Sequence, residues 1–178
     1  MSDEALLKTL RAQAWLVAEA RLLDARRYDL WLDLLDPAIR YRVPDRSWRM
    51  QDDVADFATW AVEHELEAEG GVPLIDEDLA ALRLRIARFQ TRMGWSEMPA
   101  SLSRRLVGNV VVEHEADDGV ISVSSTLFLA KVRQDERVLF TAERRDRLAP
   151  AEDGWRLRDR YVVLDDVVLP SENLSLLF

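Results

Sequence analysis

The first stretch of the chain repeats its apolar residues at helical spacing. Leu7, Leu10, Ala14, Val17, Ala18 and Leu22 fall mostly three or four apart and share one face, which predicts a long first helix. Asp24 follows, placed to cap a second helix over residues 25–35 by accepting from exposed backbone N–H groups. Asp36-Pro37 ends that helix, because proline cannot continue the ladder and disfavours helix in the residue before it. Residues 39–43 then alternate apolar and charged up to Pro44, the pattern of a strand.

Residues 45–75 show no clean period. Asp52, Asp53 and Asp56 precede the alternating acids Glu63, Glu65, Glu67 and Glu69, then Gly70-Gly71 and Pro73. The expectation is a long surface connection with a short helix over 54–61. Its length exceeds that of ordinary loops and points to a functional or interface role. Periodicity returns with Leu79, Leu82, Ile86, Phe89 and Met93, a helix opened by Asp76-Glu77-Asp78 at its positive end and closed by Gly94.

From residue 106 onward the period is that of strands. Four are expected, over 106–115, 120–133, 137–148 and 155–166, separated by turns at Asp117-Asp118-Gly119, Asp135-Glu136 and Glu152-Asp153-Gly154. Strands in hairpin succession form an antiparallel meander, and helices segregated from it define the α+β class. The long strand over 120–133 must curve to cover helices on a concave face.

Composition narrows the chemistry. The chain has 178 residues, suited to one domain over 1–178, and enough length to bury a core without a staple. Its 33 acids against 24 bases leave a net charge of −9, which argues against nucleic acid or an anionic membrane as partner. No stretch reads as a transmembrane helix or signal peptide, so the expected location is cytoplasmic. Zero cysteine excludes thiol nucleophiles, Cys-ligated zinc and a Cys-held iron–sulfur cluster in this chain. Lys8 and Lys131 are the only lysines, so cationic contacts will be guanidinium forks.

Candidate sites are few. His64 and His114 both lie in Glu-His-Glu contexts, and two histidines with a carboxylate are the donors of a non-haem iron triad. The plainer reading is two exposed histidines among acids. No Gly-rich phosphate loop is present, and the Ser124-Ser125 hydroxyls read as structural. A pocket under a curved sheet would draw on Tyr28, Trp31, Tyr41, Phe128 and Asp165, against the reading that the aromatics are core and Asp165 ends a strand. The runs Glu143-Arg144-Arg145-Asp146-Arg147 and Arg156-Leu157-Arg158-Asp159-Arg160 fall on strands expected to be neighbours. Cross-strand guanidinium–carboxylate pairs would hold their register. Such a ladder is either solvated or an interface, and Arg144, Arg145, Arg147, Arg158, Arg160 and Trp95 are the interface candidates. The apolar tail Leu174, Leu176, Leu177 and Phe178 is either docked on its own domain or buried against another chain.

Ordered motifs across most of the chain resemble the small (beta) subunit of aromatic-ring-hydroxylating dioxygenases, the Rieske non-haem iron oxygenases. They begin with Glu19-Ala20-Arg21-Leu22-Leu23-Asp24, Tyr28-Asp29-Leu30-Trp31-Leu32, Ile39-Arg40-Tyr41 and Pro44. They continue through Arg83, Arg88, Trp95, Pro99-Ala100-Ser101 and Arg105-Leu106-Val107-Gly108-Asn109-Val110. Arg144-Arg145-Asp146-Arg147-Leu148, Asp153-Gly154-Trp155-Arg156-Leu157, Arg160, Leu164-Asp165 and Asn173-Leu174-Ser175 complete the series. Residues 46–73 match poorly.

The resemblance implies a cone-like α+β fold, a curved antiparallel sheet wrapped around helices, as in nuclear transport factor two, SnoaL and scytalone dehydratase. It implies a structural, noncatalytic subunit that forms a trimer supporting three large (alpha) subunits in a heterohexamer. No cofactor is then expected in this chain. The large subunit would hold the Rieske 2Fe-2S cluster and mononuclear Fe(II), with electrons arriving from NAD(P)H through reductase and ferredoxin and a cis-dihydrodiol as product. The rival readings are a free-standing isomerase, dehydratase or cyclase of the same fold, or a small-ligand-binding module. A cone plugged by its own aromatics would count against both.

Overall fold

The computed structural model describes residues 2–47, 65–66, 71–90, 101–170 and 176–178. The expected helix over 54–61, the helix end at Met93-Gly94, and His64, Trp95 and Leu174 lie outside the described residues. The elements run α1 (Asp3–Asp24), α2 (Tyr28–Leu32), β1 (Leu35–Val43), β2 (Ile75–Glu77), α3 (Leu79–Gln90), β3 (Leu102–Glu115), β4 (Ile121–Arg133), β5 (Glu136–Ala151) and β6 (Gly154–Leu164).

Helix α1 starts where Ser2 accepts from the Ala5 N–H at 3.2 Å, with Asp3 and Glu4 in the first turn facing the positive dipole end. It is as long as predicted, but turned. Its buried face is Ala12, Leu16, Glu19, Ala20 and Leu23, whereas Leu7, Leu10, Ala14 and Val17 face outward. The helix carries two apolar stripes, and spacing alone does not say which one meets the sheet.

Asp24 does not cap a second helix. It is the last residue of α1, and its carboxylate accepts from the Arg105 backbone N–H at 3.0 Å and the Arg105 guanidinium at 2.5 Å. The chain reverses at Arg26 with φ of 56°. Helix α2 is then a single short turn, shorter than expected, because residues 35–38 join β1. Asp36-Pro37 is absorbed inside the strand as a register irregularity, with the Ala38 N–H on Asp36 Oδ1. Asp76 and Glu77 likewise belong to β2, and Asp78 alone caps α3 by accepting from the Ala81 N–H at 2.9 Å.

The six strands form one sheet in the order β2-β1-β6-β5-β4-β3. The meander β3–β6 is antiparallel as expected, over longer strands than predicted at β3 and β5. The β1–β6 pair is parallel, which departs from an all-antiparallel sheet. These two strands are remote in sequence, so no hairpin dictates their direction. Gly119 at φ of 79° makes the β3–β4 turn, a conformation that costs glycine nothing. Register shifts in β3, between Gly108 and Val111 and between Val112 and His114, bend the strand toward α1, which packs against it.

The concave face closes over α1. Val123, Leu127 and Leu129 of β4, Phe140, Ala142 and Leu148 of β5, and Leu157, Val162 and Leu164 of β6 meet Leu16 and Leu23 there. Among these apolar side chains sit charged ones.

Candidate functional site

Strand period explains how charge enters the interior. On β5, Phe140, Ala142, Arg144, Asp146 and Leu148 share one parity and all point inward, while Glu143, Arg145 and Arg147 point outward. The Arg–acid run is therefore split between two faces. Arg160 enters from β6 opposite Asp146, and Glu19 enters from α1. All four side chains are fully buried.

Arg160 is the hub. Its Nη1 and Nη2 donate to the two Glu19 oxygens at 2.5 and 3.1 Å, and its Nε and Nη2 donate to Asp146 at 2.8 and 3.0 Å. Arg144 Nη2 donates to Asp146 at 3.1 Å and lies 3.6 Å from Glu19. Two guanidiniums thus face two carboxylates, and the quartet is charge-balanced. Trp31 Nε1 adds a donor to Glu19 at 2.9 Å. Arg144 Nε and Nη1 and the Ser125 hydroxyl, on directly opposed positions of β4 and β5, have no hydrogen-bond partner among the described residues.

The electrostatics fix the protonation states. Burial pushes the Glu19 carboxyl up, but Arg160 and Arg144 outweigh it, and with the Arg160 and Trp31 hydrogen bonds they lower it from 4.5 to about 2. Burial lowers the Arg160 guanidinium, yet Asp146 and Glu19 hold it well above its ordinary range. Glu19 is thus a fixed anion near neutral pH. A general base there would need a pKa close to the working pH, and this carboxylate lies far below it, with both oxygens already accepting from Arg160.

The apolar tail completes the interior. The Phe178 ring meets Phe140 edge to face with centroids 5.5 Å apart. Tyr41 Oη donates to the Phe178 main-chain oxygen at 3.0 Å and accepts from the Phe178 N–H at 2.6 Å. Arg160 Nη1 donates to the same oxygen at 3.0 Å, and Arg105 Nη2 donates to the Leu177 oxygen at 2.6 Å. Leu176, Leu177 and Phe178 are all buried.

Of the pocket candidates, Trp31 and Tyr41 converge on this core. Tyr28 packs instead against Phe89 of α3, 5.8 Å between centroids. Phe128 is on the outer face, because β4 turns its neighbours Leu127 and Leu129 inward. Asp165 is exposed at the end of β6, its carboxylate 3.7 Å from Arg46. Of the interface candidates, Arg144, Arg160, Leu176, Leu177 and Phe178 are inside this chain and offer no surface in this fold. Arg145 and Arg147 are on the outer face, and Arg158, in the β6 irregularity, reaches Asp36 and Asp118. The cross-strand ladder exists inside as Asp146–Arg160 and outside as Arg147–Asp159.

Glu19 is the member of the core that sequence reasoning passed over. The signal was a carboxylate in the apolar stripe Ala12-Leu16-Glu19-Leu23. His114 is exposed on β3, and among the described residues no three His, Cys, Asp or Glu side chains converge as metal ligands. Among those residues, no helix is long and apolar enough to cross a membrane.

Relatives agree with this architecture. The ring hydroxylating beta subunit family matches residues 18–171. The chain is 31% identical over 163 residues to the chlorobenzene dioxygenase subunit beta of Cupriavidus sp., covering 90% of this chain and 83% of that one. The biphenyl 2,3-dioxygenase subunit beta of Rhodococcus jostii is also 31% identical over 163 residues, with the same coverage. Among solved structures, naphthalene 1,2-dioxygenase with indole in its active site contains a chain that superposes with a TM-score of 0.81 at 23% identity, covering 99% of this chain and 87% of that one.

Proposed function

The chain belongs to the ring hydroxylating beta subunit family, and from that premise we propose that it is the structural, noncatalytic small subunit of an aromatic-ring-hydroxylating dioxygenase. It acts as one domain over residues 1–178 and associates with a large alpha subunit. In this reading three small subunits form a trimer that carries three large ones in the cytoplasm. The large subunit supplies the Rieske 2Fe-2S cluster and mononuclear Fe(II), fed from NAD(P)H through reductase and ferredoxin, and the product is a cis-dihydrodiol.

One observation carries the noncatalytic reading. The interior, where a cone-fold enzyme would need a pocket and a titrating group, holds a neutral quartet of locked charges and the protein's own Phe178. Glu19 and Asp146 spend their oxygens on guanidiniums, leaving neither as a base nor as a metal ligand. An isomerase, dehydratase or ligand carrier of this fold is disfavoured on the same ground.

The outer sheet face supports self-association. Leu102, Leu106, Phe128 and Leu139 are exposed on adjacent strands β3, β4 and β5, with Leu106 directly opposite Phe128. The patch continues into the charged rows of Arg145 and Arg147, an apolar centre with a polar margin of the kind protein interfaces use. We assign the trimer contact to this face.

The test is co-expression with a neighbouring gene whose product contains Cys-x-His and Cys-x-x-His pairs. The two chains are expected to co-purify and, when supplied with reductase, ferredoxin and NAD(P)H, to convert an aromatic hydrocarbon to a dihydrodiol, while this chain alone binds no stoichiometric iron and turns nothing over with the same electron supply. Iron with turnover in the isolated chain overturns the proposal.

A further inference from the structure

The groups that hold Leu177 and Phe178 form a recognition site in their own right. Three side chains from three different strands converge on two main-chain units: Tyr41 from β1, Arg105 from β3 and Arg160 from β6. Tyr41 reads both polar atoms of Phe178, donating a hydrogen bond to the oxygen and accepting one from the N–H. The aromatic ring is read separately by the edge-to-face contact with Phe140. Apart from that one acceptor at Tyr41, every polar group these side chains direct at the segment is a donor, and two are guanidiniums. The balancing carboxylates of Asp24, Glu19 and Asp146 take other N–H groups of the same arginines, with Arg160 Nη1 shared between Glu19 and the Phe178 oxygen.

This is a ligand specification: an aromatic ring, an adjacent N–H, and an oxygen acceptor that tolerates or carries negative charge, preceded by a second carbonyl. An N-acylated aromatic amino acid has all of these, and charge-assisted bonds from arginine favour a carboxylate at the acceptor position. We propose that the interior of the cone is a binding site for N-acyl aromatic amino acids and short peptides ending in one, filled in cis by Leu177 and Phe178, and that a free ligand of this class takes the site when the segment is removed. The site is specific because ring and polar contacts come from different strands. Arg160 and Arg105 are also positioned by ion pairs that do not involve the segment, to Asp146 and Glu19 and to Asp24.

The test uses the chain ending at Ser175, the full chain, and acetyl-leucyl-phenylalanine as the probe. Calorimetry and thermal shift on the shortened chain are expected to show one saturable site. Acetyl-leucyl-alanine should bind at least tenfold more weakly, and Tyr41→Phe in the shortened chain should lose at least tenfold for the phenylalanine probe. The full chain should bind at least 100-fold more weakly, because Phe178 competes. A folded shortened chain that ignores the probe, or that binds no better than the full chain, overturns the proposal. If the shortened chain does not fold alone, recovery of its near-ultraviolet circular dichroism on adding the probe supports the site, and no recovery at millimolar probe overturns it. Full-length Phe178→Ala gives an independent reading. It leaves the main-chain contacts in place and opens only the ring slot, so toluene should raise its melting temperature and leave the wild type unchanged. A folded variant with no shift counts against the slot.

Discussion

Glu19 and Arg160 stand 141 positions apart in sequence and meet through two hydrogen bonds, 2.5 and 3.1 Å long, at the centre of the cone. The contact ties the first helix to the last strand. It closes the sheet over α1 with a directional interaction, where apolar packing alone would leave the helix free to rotate between its two apolar stripes. A buried pair of this kind is costly to assemble and far costlier to break on one side.

Glu19→Ala should therefore be severe. It leaves Arg160 and Arg144 buried with one carboxylate between them, and removing one partner of a buried pair costs about 3–5 kcal/mol. Urea denaturation is the measurement. Arg147→Ala provides the contrast, because the Arg147–Asp159 pair is half-exposed and such pairs are worth less than ~1 kcal/mol. Equal losses for the two variants would mean that Glu19 is not held as described.

The pH dependence follows from the same carboxylate. Glu19 titrates near 4.5 in the unfolded chain and near 2 in the fold, so the folded state binds the proton less tightly. Its contribution is fully present above about pH 4.5 and is lost as pH falls toward about 2. The stability difference between wild type and Glu19→Gln should be constant at neutral pH and shrink steadily across that window. Denaturation curves collected at intervals through it provide the check, and a difference independent of pH would show that Glu19 does not carry the linkage.

Phe178→Ala should destabilise the chain by about 3–5 kcal/mol, the range for a large aromatic side chain removed from a packed core. The oligomeric state should not change, because Phe178 is buried in its own chain. Denaturation and light scattering on the same sample separate the two effects. Loss of the trimer at full stability would place the tail between chains instead.

The boundary between what sequence showed and what it hid is physical. The strands β3–β6 were legible because their residues alternate and their turns carry Asp and Gly. The cone fold was legible only through resemblance. Two local misreadings share a cause: Asp24 and Asp36-Pro37 look like helix punctuation, but tertiary partners decide their use. Asp24 is taken by Arg105 from a strand 81 positions away, and β6 recruits residues 35–38 into a parallel pair. The core was half legible. Arg144, Asp146 and Arg160 stood out as a charged ladder, yet the inward parity of Arg144 and Asp146 with Phe140, Ala142 and Leu148, and of Arg160 with Val162 and Leu164, was the sign that they were not solvated. Glu19 needed both the stripe that held it and the knowledge of which stripe faces in.

The outer face gives the sharpest test of assembly. Leu106 is 69% exposed and Phe128 44% exposed, and the two are cross-strand neighbours. Neither contributes much to the folded chain, so Leu106→Glu and Phe128→Glu should leave the monomer's melting temperature nearly unchanged, as surface substitutions away from special features usually stay within ~0.5 kcal/mol. In an assembly each would bury a charge against an apolar neighbour without a partner, a penalty large enough to dissociate a trimer. Light scattering should fall from the mass of the proposed trimer toward 20.5 kDa in either variant. The second exposed apolar stripe, on α1, is the control: Leu7→Glu and Leu10→Glu should preserve the trimer. The reverse outcome, a trimer broken through α1 and intact with both sheet variants, would move the self-contact from the sheet to the helix.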